Sequence, residues 1–506
     1  MAAKPIKRVL IANRGEIAVR VIRCLREMGI ESVVVYSDPD ARSQARRIAD
    51  YAIPLHGTTP AETYLNIPKI MAALKESGAD AVHPGYGFLS ENDSFARTVR
   101  DSGATFIGPS PESMGIMGNK VEAKKLMRRH QVPVTPGSIE PLSSLEELRA
   151  LTSEFGFPMI LKAAHGGGGR GMRVVRSDAD LQAAFEATVR EATAYFGNPE
   201  VFCERYIENP RHIEVQVMCD SHGNGIYLFE RDCSIQRRHQ KLIEEAPSKY
   251  LDESERHRLG RIAVTSALAA GYEGAGTVEF ICEGPGRAYF MEMNTRIQVE
   301  HPVTEMITGI DLIREQLRVA QGETLSVRQE DLVVRGWAIE ARINAEDPVN
   351  NFAPTPGLIT QWQVPQGPFV RVDTHVYQGF EVSAAYDSMI AKVIAWGRDR
   401  EEAIQRLTRA LAEIEVRGVP TTARFHEAVL AHRDFRAGEF NTGWVEAHLD
   451  ELKEVMVAAD ASSLDAASIL AAILVQEQGR EETLGVAGAR DKWKAAGRLS
   501  GVGRHA

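Results

Sequence analysis

The chain has 506 residues, 44% hydrophobic and 25% charged, with a formal net charge of −10. That balance fits a globular protein of roughly three or four domains and leaves no electrostatic case for a nucleic-acid partner. Five cysteines without a Cys-x-x-Cys argue against a disulfide framework or zinc site and for reduced thiols in the cytoplasm, while the longest apolar helical stretch, near Ile469 to Val475, is far short of a membrane span.

Taken in chain order, Arg8 to Ala12 is too short for a signal-peptide core. Val9 to Ala12 predicts a strand, Glu16 to Glu27 a helix with Ile17, Val21, Leu25 and Met28 near one face, and Ser32 to Tyr36 a second strand. Ala81-Val82-His83 runs into the loop Pro84-Gly85-Tyr86-Gly87. This alternation predicts a doubly wound, mostly parallel sheet. Asn13-Arg14-Gly15-Glu16 sits between a strand end and a helix start, where such folds bind ligands, and it is no dinucleotide fingerprint. The middle of the chain predicts an α+β domain, with strands over Phe157–Lys162, Arg173–Val175, His212–Met218, Gly225–Phe229, Gly274–Ile281 and Ala288–Glu300. A third region, about 334–446, opens with Trp337 to Arg342 and closes with a helix over Arg400–Ile414.

Several pieces carry chemistry. Gly166 to Gly169, with Gly171, lie between two strands and form a lid able to close over phosphates and donate N–H groups, with Lys162 placed to reach one. Glu279 and Glu292, joined by a hairpin, bring two carboxylates to one hard cation such as Mg²⁺ bridging nucleotide phosphates. From Glu292 to Glu300 the residues alternate. An extended strand would project Glu292, Asn294, Arg296, Gln298 and Glu300 from one face, combining oxygen ligands with a guanidinium that can fork onto an oxyanion. Gln236, His239 and Lys241 form a basic run without helical or strand phase, which favours a site over a solvated face. Cys233 reads as a buried small hydrophobe.

Over residues 6–446 the chain resembles biotin carboxylase, the ATP-grasp component of biotin-dependent carboxylases. The motifs are Ile11 to Ala18, His83 to Asn92, the glycine loop, Glu230 to Pro247, Glu292 to Pro302 and Glu340 to Asp347. The resemblance implies an N-terminal doubly wound (pre-ATP-grasp) domain over 1–118, an ATP-grasp domain over 119–333 with a mobile lid at about 135–205, a C-terminal biotin carboxylase domain over 334–446, and a helical tail over 447–506. It implies nucleotide contacts at Lys120, Lys162, Gly167, Gly168, Gly169, Met172, Glu204, Ile207, His212, Gln236, His239, Lys241, Glu279 and Glu292. Glu279, Glu292 and Asn294 would hold two Mg²⁺ or Mn²⁺ ions. Arg296, Gln298 and the Val299 backbone would cradle bicarbonate, with Glu300 its base. Tyr86, Gly87 and Arg342 would meet biotin, Arg342 stabilising its enolate; Lys241 joins Arg296, Glu300 and Arg342 as catalytic.

The chain departs from the family at His165, Arg205 and Ala384-Ala385-Tyr386-Asp387, which touch lid and fine contacts and no catalytic group. No Ala-Met-Lys-Met motif and nothing like a carboxyltransferase occurs, so the resemblance implies a subunit that loads biotin on a separate carrier protein and works with a separate carboxyltransferase, as a homodimer or within a larger complex. The motif contexts favour an acyl-CoA carboxylase of the acetyl- or propionyl-CoA type, feeding fatty-acid metabolism, with a two-subunit pyruvate or other 2-oxoacid carboxylase as the alternative. Another ATP-grasp ligase is disfavoured by Glu300 and Arg342 in their contexts, and a non-catalytic subunit by the presence of Lys241, Arg296 and both metal carboxylates. In the tail, Ala466, Ile469, Leu470, Ile473 and Leu474 make an apolar helical stripe that either docks a partner or packs on its own domain.

Overall fold

The structure is a computed structural model that describes residues 5–142, 144–163, 172–196, 198–284 and 286–458. Five short strands rich in valine, isoleucine and leucine open it: β1 (Arg8–Ile11), β2 (Glu31–Tyr36), β3 (Tyr51–Pro54), β4 (Ala81–His83) and β5 (Thr105–Phe106). They pair in parallel in the order β3-β2-β1-β4-β5. Successive side chains of a strand point to opposite faces. Val9 and Ile11 accordingly enter one core with Ile17, Val21 and Leu25, and Leu10 and Ala12 enter another with Tyr64, Ile70 and Phe95. The sheet is doubly wound, as expected.

Strand order reverses between β1 and β4, and their carboxyl ends make the crevice where such sheets bind ligands. The Asn13 amide, just past β1, donates to the carbonyls of Pro84 and Tyr86 at 2.7 Å each and shapes the loop that follows β4. Gly85 has φ +63°, and a Cβ there would stand 2.8 Å from Asn13 Nδ2, so this loop requires glycine.

The stretch expected as a lid contains a small antiparallel sheet of β6 (Met159–Ala163), β7 (Met172–Val175) and β8 (Val201–Arg205) in the order β7-β6-β8. Leu148 and Leu181 cover it from the helices Leu145–Phe155 and Asp178–Phe196. Lys162 pairs with Met172 at the mouth of the β6–β7 hairpin. Gly167, Gly168, Gly169 and His165 lie outside the described residues.

The largest element is an eight-stranded antiparallel sheet. Six of its strands are β9 (Arg211–Cys219), β10 (Gly225–Arg237), β11 (Gln240–Ala246), β12 (Gly274–Gly284), β13 (Arg287–Asn294) and β14 (Trp337–Asn344). Their order is β13-β12-β9-β10-β11-β14, continued by Met389–Gly397 and Val370–Thr374. Pairing of β11 with β14 runs one sheet through the second and third expected regions. Residues 1–449 form one compact unit. Residues 450–506 form another, of which 450–458 are described and helical. The apolar stripe from Ala466 to Leu474 lies outside the described residues.

Two expectations are corrected. The strand over Ala288–Glu300 stops at Asn294, and the chain bends at Thr295 and Arg296 before turning into the helix His301–Thr308 with Glu300 at its N-cap. Pro302 in the first turn presets helical φ, and Arg231 draws in Gln298 Oε1 at 2.5 Å. The single polar face therefore does not exist. The basic run does have strand phase: Gln236 and Arg237 end β10, Arg238 and His239 turn at φ +49° and +64°, and Lys241 pairs with Gln236 across the hairpin. Two successive positive φ values make the tight turn that matches strand twist.

Candidate active site

A cavity of about 1590 Å³ opens between the β1–β4 crevice, the lid and the large sheet. On one wall Glu279 and Glu292 are direct cross-strand partners of β12 and β13, a relation that holds their Cβ atoms about 5 Å apart. Asn294, two residues on, donates to Glu279 Oε1 at 2.8 Å. Two carboxylates and an amide oxygen suit a hard cation that takes oxygen ligands and keeps sites free for phosphate. Glu292 is otherwise met by Lys120 at 3.4 Å. The donor set fits Mg²⁺ or Mn²⁺.

The floor is a buried ion cluster. Lys241 Nζ donates to Glu214 at 2.5 Å, Glu300 at 2.6 Å and Glu279 at 3.1 Å. Burial opposes its charge, yet the three carboxylates raise its pKa well above the ordinary lysine value. Glu300 also accepts from Arg342 at 2.9 Å. Burial disfavours its charge, but Lys241 and Arg342 prevail and hold its carboxyl well below the usual range. Glu279 is held low in the same way, against burial, by Lys241 and by His212, whose Nε2 lies 3.1 Å away. Arg342 Nε donates to Glu244 at 2.6 Å. Arg231, fully buried, donates to Glu214, Gln216, Thr304, Thr277 and Gln298 and so fixes the turn that replaces the expected strand.

The bend after Asn294 still converges on this floor. Arg296 donates to Asn294 Oδ1 at 2.9 Å and meets Glu91 at 3.1 Å, leaving its guanidinium on the cavity wall. Gln298 Nε2 donates to Glu279 Oε1 at 2.9 Å. The Val299 carbonyl accepts from Lys392 at 2.7 Å. Lys392 is fully buried and also meets Glu16 at 3.0 Å, and Glu16 accepts from the Tyr86 hydroxyl. One ammonium thus ties the Glu300 turn to the Tyr86–Gly87 loop.

On the lid side Lys162 meets Glu204 at 2.7 Å, and Lys124 meets the same carboxylate. Ile207 is buried, Met172 is exposed at its strand start, Gln236 is buried in the wall, and His239 stands exposed at the β10–β11 turn. All of these line the cavity.

Comparison with known proteins gives the family. Residues 5–114 match the family described as biotin carboxylase, N-terminal domain; residues 119–328 that described as carbamoyl-phosphate synthase L chain, ATP binding domain; residues 340–447 that described as biotin carboxylase C-terminal domain. Biotin carboxylase 1 of Bacillus subtilis is 51% identical over 444 residues, covering 88% of this chain and 99% of the relative. The chain belongs to the biotin carboxylase family. It has that family's three-domain architecture and is an ATP-dependent carboxylase. A pyruvate carboxylase subunit of Methanothermobacter thermautotrophicus is 50% identical over 439 residues, 87% of this chain and 89% of the relative. A crystal structure of the biotin carboxylase domain dimer of Hydrogenobacter thermophilus 2-oxoglutarate carboxylase, with MgADP, ADP and bicarbonate, superposes with a TM-score of 0.83 at 46% identity, covering 89% of this chain and 99% of that one.

Within this biotin carboxylase fold, sequence reasoning missed Glu214, Arg231, Glu244 and Lys392. His212, Glu214 and Gln216 alternate along β9 and share a face, a signal that would have exposed Glu214. Arg231, Glu244 and Lys392 sit in strands buried on both faces, where period two carries no contrast. Cys233 is buried, and burial first, then Glu214, raises its thiol well above the ordinary value, so it is no nucleophile.

Proposed function

We propose that this chain carboxylates biotin carried on a separate carrier protein, using bicarbonate and ATP through carboxyphosphate, as the first half-reaction of a biotin-dependent acyl-CoA carboxylase. The observation that carries the proposal is Glu300: a buried carboxylate held by Lys241 at 2.6 Å and Arg342 at 2.9 Å in the cavity that Glu279, Glu292 and Arg296 also line. In this reading Arg296, Gln298 and the Val299 backbone receive bicarbonate, whose planar oxygens match a guanidinium fork. Glu300 takes its proton. A bicarbonate oxygen then attacks the γ-phosphorus of ATP, the bond to the bridging oxygen breaks, and ADP leaves.

Such transfer needs neutralised charge and alignment more than covalent help. Lys120, Lys162, His212 and Lys241 supply cations from this chain, and Lys241 exchanges a carboxylate for phosphate as nucleotide enters. Glu279, Glu292 and Asn294 would hold two Mg²⁺ or Mn²⁺ ions, which neutralise phosphate oxygens when bound. Glu204 and Ile207 take the adenine side. Carboxyphosphate breaks to CO₂ and phosphate, and phosphate removes the proton of the biotin ureido nitrogen. Arg342 stabilises the enolate until it captures CO₂, with biotin resting against Tyr86 and Gly87. The domains divide near residues 118, 333 and 446.

The relatives named for pyruvate and 2-oxoglutarate carboxylases support a 2-oxoacid acceptor as the second reading. In either case a carboxyltransferase on another chain selects the acceptor, and the dimer of the Hydrogenobacter domain supports a homodimer here. The test is ATP cleavage that needs bicarbonate, measured with and without free biotin. Stimulation by biotin is expected; turnover indifferent to biotin defeats the proposal.

A further inference from the structure

Glu340 is a fully buried carboxylate near the Arg342 guanidinium, and the reaction above does not use it. Its relative exposure is 0%, as is that of Glu244. The two are direct cross-strand partners of β11 and β14, so their Cβ atoms stand about 5 Å apart. Neither Glu340 oxygen has a hydrogen-bond partner among the described residues, and Glu244 Oε2 has none, while Glu244 Oε1 holds Arg342.

Two ionised carboxylates cannot sit opposite one another in a dry interior. One takes a proton, and a shared O–H···O bond then satisfies both. The surrounding charges agree. Lys392 already meets Glu16 at 3.0 Å and Asp373 at 3.8 Å, and Arg342 already meets Glu244 and Glu300, so among the described residues neither neighbouring cation is left over for Glu340. Burial also raises Glu244 to about 7 and Glu340 well above the carboxylate range.

We propose that Glu340 is held as a carboxylic acid whose O–H donates to Glu244 Oε2, and that this acid–carboxylate pair positions Arg342. The proposal rests on the enolate role given to Arg342 above. When Glu300 accepts the bicarbonate proton, Arg342 loses one of its two anions, and Glu244 keeps it in place. Loss of the shared proton would set a second anion beside the guanidinium and weaken its pull on an enolate. The charged or titratable groups facing Glu340 are Arg342 on its own strand, Glu244 on β11, Lys392 on Met389–Gly397, Glu300 at the helix N-cap and Tyr86 on the loop after β4. Lys392 and Arg342 favour its ionisation; Glu244 and Glu300 oppose it.

Infrared difference spectroscopy of the resting protein against Glu340→Gln reads the proton directly, without turnover. The carbonyl stretch of a protonated carboxylic acid is expected in the wild type and absent from the variant. Glutamine keeps an N–H donor for Glu244, so Glu340→Gln should hold kcat within about threefold at neutral pH and lose the alkaline limb of the kcat/KM profile for biotin. Glu244→Gln, which replaces the carboxylate that holds Arg342, should lower kcat about 10–100-fold with KM for ATP unchanged. A carbonyl band that survives Glu340→Gln overturns the proposal, as does Glu340→Gln losing as much activity as Glu244→Gln while binding ADP normally. Failure of Arg342 itself to matter would instead overturn the proposed enolate role, because the infrared band does not depend on it.

Discussion

Replacing Glu300 by glutamine separates chemistry from folding. Glutamine keeps the shape and removes one charge from a buried cluster. Breaking a buried ion pair usually costs about 3–5 kcal/mol, because a charge is left unpaired. Here neither partner is orphaned: Lys241 keeps Glu214 at 2.5 Å and Glu279 at 3.1 Å, and Arg342 keeps Glu244 at 2.6 Å. The stability loss should therefore fall below that range, about 1–2 kcal/mol. Loss of a general base should slow catalysis about 10²–10⁴-fold, or roughly 3–5 kcal/mol on the barrier. The barrier effect exceeds the folding effect, so the two are resolvable. Phosphate release at saturating ATP, bicarbonate and biotin gives the first, and thermal unfolding the second. Calorimetric titration with ADP should show near-normal affinity. Activity within about tenfold of wild type, or a loss matched by lost ADP binding, would refute the reasoning.

Lys392→Met removes a fully buried ammonium from Glu16 and the Val299 carbonyl. It should cost about 3–5 kcal/mol, read as a lower urea midpoint, and an unchanged midpoint would refute it. Acid sensitivity follows from four buried histidines: burial lowers His83 and His426 to about 4 and His301 and His375 to about 3. The unfolded chain protonates them near 6.5, so between pH 6.5 and 4.5 it binds more protons than the native state, and stability falls on acidification by about 1.4 kcal/mol per pH unit per histidine. Glu230, Glu244, Glu245, Glu340 and Glu427, raised in the fold by burial, and His212, raised by Glu279 against burial, gain stability as pH falls and oppose this. The histidine contribution is read by difference: His83→Gln removes one such group, so between pH 6.5 and 4.5 the urea midpoint of the variant should fall less, or rise more, than that of the wild type, and an identical pH dependence in both would contradict it.

Local periodicity and short connections made two parts of the chain most legible in the sequence. Helix Gly15–Glu27 showed its apolar stripe, and the Glu279–Glu292 hairpin was readable because a tight connection can bring those positions together. The strand after Asn294 was misread because alternation persists through a bend: Ile297 is buried in one core while Gln298 and Glu300 are buried against Arg231 and Lys241. Period two records which residues avoid water, and a turn buried on both sides satisfies the same record.

By itself the sequence determined the doubly wound start, the glycine-flanking hairpin, the family resemblance and the residue types available for chemistry, because local periodicity and ordered motifs survive without knowledge of long-range contacts. Only the tertiary structure decided which charges meet. Lys241 meets Glu214, Glu279 and Glu300 through three separate chain segments, Lys392 ties Val299 to Glu16, and Glu340 is set against Glu244 by strand register. These pairings arise from sheet order between segments distant in sequence, and in a dry interior the charge state of each group depends on its neighbours across that sheet.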